Sequence, residues 1–209
     1  IGSSLSSSAC FEVMIVEIFS YLYNDGKITP VERALVSQYS ENNYFGKKSG
    51  LLDQIGVGFG NISRIDFKDI ANPVVEQIEF PFKDIHFVIV NTGGSHAALS
   101  DLYSAIPQDM YNAANKIGHN FLIEGSENEI ENVRSSLKDI EYTRAKHFYG
   151  ENKRVMKAME ALENKDEALF LEQINGSRKS STELLKNMMV RDEYVGSPLE
   201  ACDLAMKVM

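Results

Sequence analysis

The chain has 209 residues, 44% of them apolar and 24% charged, with a formal net charge of −9. That length supports one large domain or two small ones with cores of their own, and the acidic balance excludes a general nucleic-acid surface, which needs a basic stripe. Cys10 and Cys202 are the only cysteines and stand in no CxxC or CxxH pattern, so a reducing compartment is expected and neither a zinc site nor a disulfide framework is.

The opening "IGSSLSSSACFEV" runs from a glycine and serines straight into apolar residues. Ser6 to Tyr23 reads as a helix with polar cap candidates, apolar on nearly all sides and therefore expected to be buried. It carries Glu12 and Glu17 and is too short to span a bilayer. No basic n-region of a signal peptide is present, and no membrane partner is expected. A glycine-containing loop feeding a helix start exposes N–H groups at the positive end of the dipole. Small residues such as Gly2, Ser3 and Ser4 let phosphate oxygens approach, and the hydroxyls of Ser6, Ser7 and Ser8 can donate to phosphate or ligate a divalent cation. The plain alternative is a serine cap with a flexible lead.

"NDGK" at Asn24 to Lys27 is a turn. Thr29-Pro30-Val31-Glu32 is a helix start with a cap, a proline at the first position and a glutamate closing the capping box. That helix runs to about Tyr39 or beyond and breaks near Gly46. "KSGLLDQIGVGFG" holds a short helical core among glycines. Glu41 and Asp53 bracket Gly46 and Gly50, so both carboxylates can return to one cleft if the glycines fold the segment back. One could orient a hydroxyl or take its proton, and another could hold magnesium, which prefers oxygen ligands. Alternatively, Glu41 ends a solvated helix face and Asp53 caps a short helix.

Strands are expected at Ile62–Phe67, Val75–Phe80 and Phe87–Asn91, each β-rich and bounded by breakers. From Ser95 onward the chain reads as helical, with weak spots at Pro107, Gly118, Gly150 and Gly176. "IVNTGGSHAALSDLY" turns from a strand end into a helix, where His96 and Tyr103 could touch a polar ligand or simply pack. His86, His119 and His147 lack metal-ligand spacing and are expected at the surface or at caps. Met156, Met159, Leu162, Leu169, Phe170 and Ile174 recur at helical spacing and are expected in the core. "EGSENEIENV" is expected to be a solvated face. Strands followed by helices give an α+β class with a boundary near Asp84. The three strands, the start at Ile1 and the apolar-periodic ending "LEACDLAMKVM" together create the expectation of a piece of a longer chain.

Four stretches, in order, resemble one family. "SSLSSSACFEV" is similar to the GLSSSA-type phosphate loop of the GHMP small-molecule kinases. The run ending "YFGKKSGLLDQ" resembles the E…G.PCG.MDQ segment of the galactokinase family. "FVIVNTGGSHAALSDLY" resembles its V(I/V)N(T/S)…H.L..S.Y segment, and "RAKHFYGENKRVMKAMEALENKD" its R..H...E..R...A..AL..GD segment. The resemblance implies a GHMP-kinase two-domain architecture, incomplete at both ends and helix-rich in its C-terminal part. Residues 1–84 would be part of the N-terminal domain and 85–209 part of the C-terminal domain.

The resemblance also implies ATP-dependent phosphorylation of the anomeric hydroxyl of a sugar, galactose, by a cytoplasmic enzyme. Asp53 matches the catalytic aspartate. Gly2, Ser3, Ser4, Leu5, Ser6, Ser7 and Ser8 match the loop around the ATP phosphates. Ser8 and Glu41 match the positions that bind Mg²⁺, and Gly50, Asp53 and Tyr103 lie where the family meets the sugar. The family's R.N..GEH.D and GGGFGG motifs are absent, so these 209 residues alone are expected to be inactive. Ser4, Lys48 and Ser49 stand where glycine, proline and cysteine are usual, and "SAIPQDM" replaces an arginine-rich run. A catalytically silent sugar and ATP sensor, or a kinase for another sugar, are the alternatives.

Overall fold

A computed structural model of the chain describes residues 5–46, 49–89, 100–189 and 193–208, and only the backbone at 100, 101, 103 and 208. The chain divides into two compact units, Ile1–Phe80 and Pro81–Met209.

The first unit packs three helices and a hairpin. Helix α1 spans Ser7–Asn24. Ser6 occupies its cap position in the left-handed region, at φ 50°, and its side chain makes no capping bond. Helix α2, Pro30–Asn43, begins with the capping box its sequence requires: Thr29 Oγ1 accepts from the Glu32 N–H at 3.2 Å, and Glu32 Oε2 accepts from the Thr29 N–H at 2.7 Å. Those bonds hold the Glu32 carboxyl below its usual range.

Helix α3, Leu52–Phe59, has only eight residues. It is followed by strands β1, Ile62–Asp66, and β2, Val74–Ile78, paired antiparallel from Ile62 opposite Ile78 to Asp66 opposite Val74. The link between them is stabilised by Asp69, whose carboxylate accepts from the Ala71 and Asn72 N–H groups. The core gathers Ala34, Leu51 and Ile55, with Leu35, Phe59, Ile65, Phe67 and Val75 against them. Phe87–Ile89 lie in no strand, contrary to expectation, and the remainder of that segment is outside the described residues.

Helix α1 differs from expectation as well. It buries Ala9, Val13 and Ser20 toward α2 and α3, with Glu17 paired to Arg33 of α2. The opposite side, with Phe11, Met14, Ile18, Phe19 and Leu22, is exposed. Apolar composition predicts that a surface wants cover. Helix α1 packs chiefly on α2 and α3.

The second unit is helical: α4 (Ser100–Lys116), α5 (Glu127–Asn132), α6 (Asp139–Asn164), α7 (Glu167–Ser180), a π-helical turn at Ser181–Leu185 and α8 (Pro198–Val208). Its core joins Ala113, Ala114, Leu122, Ile130, Leu137 and Ala145. Ile130 therefore sits inside the stretch expected to be wholly solvated, while Glu127 and Glu131 on the same helix bind Lys146 at 2.5 and 2.7 Å. Their hydrogen bonds hold the Lys146 ammonium above its usual range.

Helices α6 and α7 form a hairpin through Lys165 and Asp166, whose carboxylate caps α7 by accepting from the Leu169 N–H at 2.9 Å. Both run unbroken through Gly150 and Gly176. A Cβ at either position would lie 2.8 or 3.3 Å from the Arg154 side chain, so these glycines make room for an arginine rather than end a helix. His147 is buried, not at the surface, with Nδ1 2.9 Å from Ser180 Oγ. Leu162 and Phe170 are core residues as expected, whereas Met156 and Ile174 point to solvent. Among the described residues no helix is long and apolar enough to cross a membrane.

Candidate active site

A cleft of about 450 Å³ opens within the first unit, inside the usual range for small-molecule sites. Leu5 and Ser6, leading into α1, line one side. Leu52, Asp53 and Val57 of α3 line a second, and Asn61, Ser63 and Ile65 at the start of the hairpin a third. Ser6 and Asp53, taken from two separate sequence stretches, thus meet at one opening.

Each wall has a local cause. The left-handed Ser6 turns the chain sharply into α1, where the first-turn N–H groups have no intrahelical acceptor. Asp53 is exposed in the first turn of α3, where a carboxylate suits the helix dipole. The approach to α3 is pinned to α2: Asn42 Oδ1 accepts from the Ser49 N–H at 2.9 Å, and Gln38 Nε2 donates to the Ser49 carbonyl at 3.1 Å. Gly50 is exposed between that anchor and α3.

Glu41 is not on a solvated helix face. It is 3% exposed in the seam between α2 and α3, and Gln54 Nε2 donates to its Oε2 at 3.0 Å. It does not line the cleft. Ser7 and Ser8 are exposed in the first turn of α1. Among the described residues, no three histidine, cysteine or acidic side chains gather to hold a metal ion. Magnesium needs no such cage, since one or two protein oxygens beside substrate phosphates suffice. The exposed Ser8 hydroxyl is a hard oxygen donor of the fitting kind, whereas the Glu41 carboxylate is buried, held by Gln54 and away from the cleft lining.

Gly2, Ser3 and Ser4, and the side chain of Tyr103, lie outside the described residues. Sequence reasoning missed Asn42, Ser49 and Gln54 as anchors and Asn61 and Ser63 as cleft wall. None carries a local signal, because the anchors' partners are seven to thirteen positions away and the cleft wall forms only when the hairpin meets α3.

Comparison with known proteins places the chain beside one family. Residues 1–61 match the model of the GHMP kinases N terminal domain. The chain is 31% identical over 204 residues to a galactokinase of Clostridium beijerinckii, covering 95% of this chain and 50% of that protein. It is 31% identical over 166 residues to a galactokinase of Pyrococcus furiosus, covering 79% and 46%. The structure of Lactococcus lactis galactokinase complexed with galactose superimposes with a TM-score of 0.77 at 26% identity, over 90% of this chain and 50% of that one. The chain spans about half the length of the curated relatives it matches.

Proposed function

Because this chain belongs to the GHMP kinase superfamily, we propose that it carries the phosphate loop and the acceptor carboxylate of an ATP-dependent galactokinase, a cytoplasmic enzyme that phosphorylates the anomeric hydroxyl of galactose. The observation that carries this reading is the single cleft shared by Ser6 and Asp53. Residues 1–84 and 85–209 then represent parts of the N-terminal and C-terminal kinase domains.

Phosphoryl transfer is catalysed mainly by positioning and by neutralising charge. Backbone N–H groups of Gly2 to Ser8 hold the ATP phosphates at the head of α1, where the helix dipole favours anions. Asp53 accepts the hydrogen bond of the sugar hydroxyl, aligning it and receiving its proton as the oxygen attacks the γ-phosphorus and the bond to the β,γ-bridging oxygen breaks, releasing ADP. Gly50 leaves the sugar room beside Asp53, and Tyr103 keeps the role of sugar contact that the family resemblance gives it. Ser8 would offer its hydroxyl to Mg²⁺, which when bound offsets the phosphate charge, while the Glu41 carboxylate stays with Gln54 in the seam between α2 and α3.

The test is a sugar panel with ATP and Mg²⁺ on the native protein that carries this chain, read by ³¹P NMR. Galactose 1-phosphate is the expected product. Turnover of a different sugar with none of galactose would overturn the substrate assignment. Binding of galactose and ATP without turnover would overturn the enzyme reading in favour of a sensor.

A further inference from the structure

Gln54 follows the cleft aspartate directly but faces the other way. Neighbours on a helix point about 100° apart. Asp53 is therefore exposed at the cleft while Gln54 is 1% exposed against α2, where its Nε2 donates to Glu41 Oε2 at 3.0 Å. Its own Oε1 is buried with no hydrogen-bond partner among the described residues. An amide with an orphaned acceptor is a poorer core residue than an apolar side chain of the same volume, so packing alone does not account for glutamine here.

The helix that carries both residues is short, and the chain leading into it is held to α2 at Ser49. Helix α3 has eight residues and no side-chain cap. Its apolar anchors, Leu51 and Ile55, act through non-directional contacts that tolerate a small roll of the helix, whereas a hydrogen bond fixes an angle. At the outer radius of a helix, roughly 5–6 Å, a roll of about 10° carries a side chain about 1 Å. A 1 Å misplacement costs on the order of 10²-fold in rate.

We propose that Gln54 is a positioning residue: its donation to the buried Glu41 carboxylate sets the roll of α3 and hence the line along which Asp53 enters the cleft. This rests on the reading of Asp53 as the group that meets the acceptor.

The test compares Gln54→Met and Asp53→Asn in the native protein, assayed well below each variant's melting temperature. Gln54→Met keeps the volume and loses the donor. It is expected to lower kcat about 10- to 100-fold with KM for sugar and ATP within about threefold. Asp53→Asn is expected to lose turnover. Wild-type kcat in Gln54→Met beside a dead Asp53→Asn would overturn this role alone. Normal turnover in Asp53→Asn would overturn the reading beneath it as well.

Discussion

Ile55 is the residue on which the seating of α3 is best measured. It is fully buried, sits two positions after Asp53, and contacts the cluster that joins α2, α3 and the hairpin. Ile55→Ala removes three carbons. At about 0.8 kcal/mol per buried methylene, the transfer loss is about 2.4 kcal/mol, and the residual cavity brings the total to about 2–5 kcal/mol. Ile55→Val removes one carbon and should cost about 0.5–1.5 kcal/mol. In a unit of this size, 1 kcal/mol moves Tm by about 4–8 °C. The valine variant should therefore melt about 2–12 °C lower, and the alanine variant at least about 8 °C lower, as read by circular dichroism and calorimetry. An alanine variant that melts within about 4 °C of wild type would refute the view that α3 is held by this core.

The remaining predictions concern the helical unit. Burial holds the His147 imidazole below its ordinary value, with Arg154 reinforcing the shift and Glu151 opposing it. The unfolded chain then binds more protons than the folded one below about pH 6.5, so stability is full above that pH and falls as pH drops toward the folded value. His147→Asn, which keeps an acceptor for Ser180, should show a shallower fall in Tm between pH 7 and 5; an equal fall would clear His147 of any part in it. Arg154 lies over Gly150 and donates to Glu151 from Nε at 2.8 Å. Arg154→Ala should cost about 1–3 kcal/mol in urea unfolding. Gly150→Ala should gain up to about 1 kcal/mol of helix propensity in the Arg154→Ala background and less in wild type, where the guanidinium must move aside; the same gain in both backgrounds would contradict the packing described.

Local chemistry was legible in the residues, and partnership across the fold was not. The Thr29–Glu32 capping box and both strands of the hairpin could be read because their determinants lie within a few positions of one another. The phosphate-loop resemblance pointed to Ser6, and the glycine-flanked bend to Asp53, before either was seen at one cleft. The bond between Gln54 and Glu41 spans thirteen positions, and no periodicity announces it. Helix α1 was apolar enough to predict burial, but composition says nothing of what covers a face. Gly150 and Gly176 read as breaks because glycine disfavours helices; the reason they persist is the Arg154 side chain, which a sequence cannot place. His147 looked superficial for the same reason, since its burial depends on the return of α7 along α6.

Turnover of galactose by Asp53→Asn is the most direct measurement of the whole reading. Asp53 is exposed in the first turn of α3, so the substitution should leave the fold and ligand binding intact. In the native protein that carries this chain, kcat for ATP-dependent phosphorylation should fall by on the order of 10²–10⁴, with galactose and ATP still bound. Near-normal turnover in that variant would contradict the account, because it would leave the cleft beside Ser6 without its acceptor carboxylate.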